Sequence, residues 1–185
     1  MSGGTEDLWV FGYGSLMWRP GFPFLERRPA RLQGYHRALC VLSHVHRGTP
    51  DKPGLVLGLD RGGRCRGVVF RVAAMERTAT LQYLREREQV TSVYLERWLP
   101  VQVEGGERVR AVGYVVDRRH PQYARGATFA ETLALVRQGH GVSGANADYV
   151  RSTDEHLVSM GVIDPLLRQL TQALGVDPAQ GRRTG

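Results

Sequence analysis

The apolar positions change period several times along the chain. Leu8 to Phe11 is a short apolar run with an aromatic and a β-branched residue, the make-up of a buried strand, and it stops at Gly12. Ala30 to Val45 carries Leu32, Tyr35, Leu39, Val41 and Val45 and predicts one or two strands around Gly34. Leu55–Leu59 predicts a strand, Asp60-Arg61-Gly62-Gly63 a hairpin-like turn, and Cys65–Val72 the return strand. Trp98–Val103 and Val109–Val116 predict a second hairpin, turning at Glu104–Glu107. Helical spacing appears at Thr78–Glu88, at 128–138, at Ala147–Met160 and from Pro165 to about Leu174. Thr128 with Glu131 makes a capping box, with Leu133, Val136 and Phe129 on the inward face. Asn146 is the expected cap of the third helix, and Asp164-Pro165 sets a cap and first-turn proline for the fourth. Gly161 and Gly175 close the last two helices. Pro20 to Pro29 reads as an irregular connection with Phe22, Phe24 and Leu25 against the core.

Strands, a helix, more strands and then helices give an α+β class. Hairpin connections outnumber crossovers, which points to a strongly curved sheet or small barrel flanked by helices. One domain is expected over residues 8–175, between a flexible tail at 1–7 and a disordered tail at 176–185. No run approaches the roughly 20 apolar residues that span a bilayer. The first residues have neither the basic region nor the apolar core of a secretion signal, so a cytoplasmic protein is expected. Cys40 and Cys65 are too few for a disulfide framework or a four-cysteine metal site, and His44 and His46 lack zinc-protease spacing. The net charge is +7, and Lys52 is the only lysine. This favours anionic partners, but the arginines are scattered and no basic tract is interleaved with aromatics, which weighs against nucleic acid.

Two stretches carry chemistry. Gly12 and Gly14 flank Tyr13, permit φ > 0 and leave the backbone uncovered. The N–H groups of Tyr13 to Leu16 then either face an anion as a concave set or belong to an ordinary glycine turn. In the Thr78–Glu88 helix, at about 100° per residue, Glu88 returns to within about 20° of Leu81, whereas Glu86 lands about 140° away. Glu88 is thus the inward glutamate. By spacing alone it serves equally as half of a structural ion pair or as a desolvated proton carrier.

Val10-Phe11-Gly12-Tyr13-Gly14-Ser15-Leu16, followed by Met17-Trp18, resembles the N-terminal signature of the ChaC-type γ-glutamylcyclotransferases. Three further motifs follow in that family's order. His46-Arg47-Gly48-Thr49-Pro50 with Lys52-Pro53-Gly54 resembles its His-Arg-Gly…Lys-Pro-Gly stretch. Tyr83-Leu84-Arg85-Glu86-Arg87-Glu88 resembles Tyr-Leu-x-x-Arg-Glu. Gly139-His140-Gly141…Gly144-Ala145-Asn146-Ala147-Asp148-Tyr149 resembles Gly-x-Gly-x-x-Gly-x-Asn-x-x-Tyr. Where many members follow the glutamate with Gly-Gly-Tyr, Thr91-Ser92-Val93-Tyr94 keeps only the tyrosine.

The resemblance implies a γ-glutamylcyclotransferase-like fold, a small barrel flanked by helices, and cleavage of glutathione to 5-oxoproline and cysteinylglycine. It makes Glu88 the catalytic acid/base. It has the loop Val10, Phe11, Gly12, Tyr13, Gly14, Ser15 and Leu16 cradle the γ-glutamyl group, and it puts Tyr149 near the substrate. By its own spacing Tyr149 fits a core position equally well, sharing a face with Thr153, His156 and Met160. Arg47 reads either as a partner for a substrate carboxylate or as a solvated loop arginine. Ser15 is a candidate donor rather than a nucleophile, since no His/Asp partners are placed around it. The chemistry calls for no cofactor and no metal. The alternatives are a cyclotransferase for other γ-glutamyl amino acids or amines, and a non-enzymatic regulator of cation transport.

Overall fold

The first strand, β1 (Leu8–Gly12), lies between two others, which is why its apolar run is unbroken. Val10 pairs antiparallel with Phe70 on one side and parallel with Val112 on the other, and is fully buried. The computed structural model that shows this describes residues 6–89 and 92–175. With β2 (Glu26–Ser43), β3 (Gly54–Val72), β4 (Tyr94–Val103) and β5 (Arg108–Val116), β1 closes a barrel in the order β1-β3-β2-β4-β5. The class is α+β, as expected. Two compact units share the chain. One is drawn from Met1–Ala38 and Leu57–Tyr123, the other from Leu39–Val56 and Ala124–Gly185, so the far ends of β2 and β3 count with the second. The expected tails lie outside the described residues except for Glu6 and Asp7. Asp7 is held, accepting hydrogen bonds from Arg71 and from the Ala74 N–H.

In the first unit, the turn expected at Asp60–Gly63 is absent, and β3 runs through it. Gly62 (φ 99°) and Gly63 (φ 67°) bend the strand instead of reversing it, in the manner of a bulge. Asp60, the turn-former of the sequence pattern, is buried and accepts hydrogen bonds from Arg118 (2.6 Å) and the Tyr123 hydroxyl (2.7 Å). The expected irregular stretch ends early, because β2 begins at Glu26 and carries Pro29 near its start, where strands tolerate proline. Phe22 is buried there, but Phe24 is 44% and Leu25 56% exposed, correcting the expectation for both. Helix α1 (Arg77–Glu88) buries Thr80 and Leu84, and its Tyr83 ring meets Phe22 edge-on.

The second unit holds α2 (Phe129–Gln138), α3 (Asn146–Ser159) and α4 (Pro165–Leu174), with a two-stranded ribbon, β6 (His140–Gly141) and β7 (Gly144–Ala145), before α3. Its core includes Val136, Val150, Leu157, Leu167 and Leu170. The capping box at Thr128–Glu131 and the Asp164 cap with Pro165 form as their residues dictate. Phe129 faces solvent instead of the core. Asn146 is not a cap: it is the first residue of α3, fully buried, and its amide serves the Leu55 backbone on both sides. Among the described residues, no helix is long and apolar enough to cross a membrane.

Candidate active site

The loop after β1 is shaped by backbone closeness. A Cβ at Gly67 would run into the Gly12 carbonyl and the Phe11 ring, and one at Gly12 would sit 3.2 Å from the Leu16 Cβ. Neither Gly12 nor Gly14 adopts positive φ, so what these glycines supply is room, contrary to the expected use of left-handed backbone. Met17 N–H bonds to Gly14 O (2.9 Å) and Arg19 N–H to Ser15 O (2.7 Å), folding Ser15–Met17 into one 3-10 turn. Tyr13, Gly14, Leu16 and Met17 are buried in the loop, whereas Ser15 is exposed. Val10 and Phe11 keep their side chains in the core and their backbones in the barrel ladder.

Three arginines hold this loop by its oxygens. Arg37 on β2 donates from Nε to Tyr13 O (2.6 Å) and from a terminal nitrogen to Arg66 O (2.7 Å). Arg27, also on β2, reaches Met17 O at 3.3 Å. Arg87 on α1 donates to the Ser15 hydroxyl (2.9 Å), to Arg19 O (2.6 Å) and to the Tyr83 hydroxyl (2.9 Å). Arginine only donates, so each of these contacts fixes the partner as acceptor.

The two glutamates of α1 separate as their helical positions require. Glu86 is exposed and accepts from Gln82 one turn back. The Glu88 side chain is 17% exposed, with its Oε1 3.5 Å from Arg87 Nε. Burial pushes the Glu88 carboxyl above its ordinary range, and the Arg87 charge offsets part of that rise. Nearby, Glu96 on β4 and Tyr114 on β5 stand opposite each other across the strand pair. Tyr114 donates to Glu96 (3.0 Å), which also takes a two-pronged contact from Arg85 (2.8 and 2.9 Å). The Arg85 contact, with help from Tyr114, holds the Glu96 carboxyl below its ordinary range. Burial, then the negative charge of Glu96, push the Tyr114 hydroxyl far up, with a smaller push from Glu88. Tyr114 is therefore a neutral donor throughout the physiological range.

The remaining two motif segments come together within the second unit. Arg47 bonds to Ala145 O (3.2 Å), and its guanidinium lies 5.6 Å from the centroid of the half-buried Tyr149 ring. Cβ atoms at Gly48, Gly54, Gly139 and Gly141 would each strike backbone oxygen or nitrogen of the 43–54 segment. These glycines therefore serve close packing of two loops around Arg47 and Asn146. Arg47 is not a solvated loop arginine.

Arg37 and the Glu96–Tyr114 pair are candidate-site residues that the sequence did not single out, and Arg87 stood only as the arginine of the Tyr-Leu-x-x-Arg-Glu match, with no role attached. Arg87 had a signal: it lies one turn from Tyr83, where side chains meet. Glu96 and Tyr114 were hidden because β4 was expected to start only at Trp98, and Arg37 carries no pattern at all.

The sequence matches the family model described as ChaC-like protein over residues 8–176. It is 38% identical over 164 residues to the glutathione-specific γ-glutamylcyclotransferase of Escherichia coli (strain K12), covering 88% of this chain and 71% of that protein. Identity is 33% over 177 residues to glutathione-specific γ-glutamylcyclotransferase 1 of Danio rerio, covering 92% and 90%. Among solved structures, a γ-glutamyl cyclotransferase specific to glutathione from yeast superposes with a TM-score of 0.82 at 22% identity, covering 92% and 96%, a likeness of fold.

Proposed function

This chain belongs to the ChaC-like family, and from that premise we propose that it is a γ-glutamylcyclotransferase that cleaves glutathione to 5-oxoproline and cysteinylglycine. The reaction needs no water. The α-amine of the γ-glutamyl residue attacks its own side-chain amide carbon, and the carbonyl electron pair moves to oxygen. Collapse of that intermediate breaks the bond to the cysteine nitrogen, which leaves as an amine. Because the attacking amine is protonated at neutral pH, a base must first remove a proton, and the leaving nitrogen must receive one. A single carboxylate can do both.

The observation that carries this reading is Glu88: an inward carboxyl with a raised pKa, set one residue from the arginine that grips the Ser15 hydroxyl. A carboxyl lifted toward neutrality is a better match for an ammonium proton than an ordinary surface glutamate. In this reading the loop from Gly12 to Leu16 holds the substrate α-carboxylate by its backbone N–H groups and selects the folded-back conformer. Positioning is the natural lever for an intramolecular step. The cytoplasm, where glutathione is kept reduced, is the proposed location.

Purified protein incubated with reduced glutathione tests the reading. Equal amounts of 5-oxoproline and cysteinylglycine are expected, with neither formed by Glu88→Gln. Product from other γ-glutamyl amino acids but none from glutathione would transfer the reading to the wider cyclotransferase class. Silence on both would leave a binding or regulatory role.

A further inference from the structure

The tetrahedral intermediate carries a negative oxygen, and the reading above leaves its donor unassigned. Resting on that reading, we propose that the Ser15 hydroxyl is the donor to this oxyanion, and that Arg87 is the positioning residue that makes it one. A serine hydroxyl has one proton and can both give and accept. Here the oxygen accepts from an Arg87 terminal nitrogen at 2.9 Å. A guanidinium cannot accept in return, so the serine proton is directed elsewhere. Ser15 is exposed while Tyr13, Gly14, Leu16 and Met17 around it are buried, so of these it is the residue a ligand can reach. A cation bound to the oxygen also polarises the O–H bond, making it a stronger donor.

The same guanidinium fixes where this donor stands relative to the base. One terminal nitrogen is 2.9 Å from Ser15 Oγ, while Nε is 3.5 Å from Glu88 Oε1. The reacting carbon bears both the amine that gives up its proton and the oxygen that gains charge. A donor and a base flanking one planar group suit two substituents of one carbon, each met by a hydrogen bond of about 3 Å. Arg87 itself is anchored by Arg19 O, Pro20 O and the Tyr83 hydroxyl, so it arrives at Ser15 preorganised. Gly21 is part of this anchoring, since a Cβ there would collide with the Tyr83 hydroxyl. The step balances without any added reagent: the carbonyl electron pair moves to oxygen, rests there while Ser15 and its neighbours donate, and returns as the cysteine nitrogen leaves with its proton from Glu88.

Steady-state kinetics on the intact chain separate this role from ground-state binding. Ser15→Ala is expected to lower kcat by up to about 10²-fold while KM stays within about threefold, because the contact exists only in the transition state. In an Arg87→Met background, the same serine change should cost much less, since the arginine acts through the serine. Arg87→Lys should recover part of the loss, because an ammonium also donates without accepting. Circular dichroism and melting temperature establish that each variant is folded, and if Arg87→Met is not, the serine and lysine variants carry the test. A raised KM with unchanged kcat in Ser15→Ala would move the hydroxyl to the substrate carboxylate and overturn the assignment. Fully multiplicative losses in the double variant would overturn the role of Arg87. Absence of product from the unaltered protein would refute the preceding reading, and the oxyanion assignment with it.

Discussion

At the scale of single residues, the decisive contrast is between two glutamates of one helix. Glu88 is two positions from Glu86, yet the first is largely buried and the second exposed. Glu88→Gln should abolish turnover, whereas Glu86→Gln should leave kcat/KM within about twofold in the same product assay. The raised pKa of Glu88 has two consequences. First, activity should fall with acid as Glu88 becomes protonated, and the midpoint should lie above that of an ordinary glutamate. Removing Arg87, whose charge works against the rise, should move that midpoint higher still. Second, the base carries a stability cost whose sign follows from linkage. Below the unfolded pKa, Glu88 is protonated in both states and makes no difference. As pH climbs from the unfolded to the folded value, the folded state holds a proton that the unfolded state has lost, and stability declines. Glutamine escapes this decline. The melting temperature of Glu88→Gln relative to the unaltered protein should therefore be higher near pH 7 than near pH 4, as read by calorimetry.

At the scale of elements, the capping chemistry of α2 and α4 and the period of α1 were legible in the chain, because each depends on residues within a turn or two of one another. The errors lie where distant chain decides. Asp60-Arg61-Gly62-Gly63 has every local mark of a turn, but Arg118 and Tyr123 hold Asp60 in place and the strand continues. Asn146 has the local mark of a cap, but its amide is taken by Leu55, far back in the sequence. Of the candidate site, glycine placement and helical phase marked the loop and the inward glutamate but left ordinary structural readings open, and only the family resemblance attached roles to them. Arg37 was not marked, since its partners, the Tyr13 and Arg66 carbonyl oxygens and the Met17 sulfur, lie on other segments. Two stability predictions follow from these contacts. Asn146→Ala strands a buried N–H and a buried carbonyl, and should cost about 2–4 kcal/mol in denaturant unfolding. Gly67→Ala drives a methyl into the Gly12 carbonyl and should cost about 1–3 kcal/mol while also reducing kcat/KM, because the backbone it displaces is the root of the loop proposed to hold the substrate.

At the scale of the whole molecule, the relevant property is charge. The chain carries 25 Lys and Arg against 18 Asp and Glu. Arg27 and Arg37 are already spent on carbonyl oxygens around the loop rather than on carboxylates. A field of this sign speeds the arrival of an anionic substrate such as glutathione and is screened by salt. Raising ionic strength at constant pH should therefore lower kcat/KM several-fold with little change in kcat. An unchanged ratio would show that the positive charge serves something other than substrate capture.

The parallel pairing of β1 with β5 has a consequence for how the protein is made. Trp9 and Ala111 are neighbours across that pair although roughly a hundred residues separate them along the chain. A ribosome releases β1 and the loop after it well before β5, the strand that locks β1 into the barrel and the last of that barrel to emerge. Until then the apolar run Leu8–Phe11 has no partner on that side and is exposed to wrong associations. The loop that would meet the substrate is thus synthesised early and fixed late. A nascent chain arrested before β5 should remain protease-sensitive at β1, and one extended past Val116 should not.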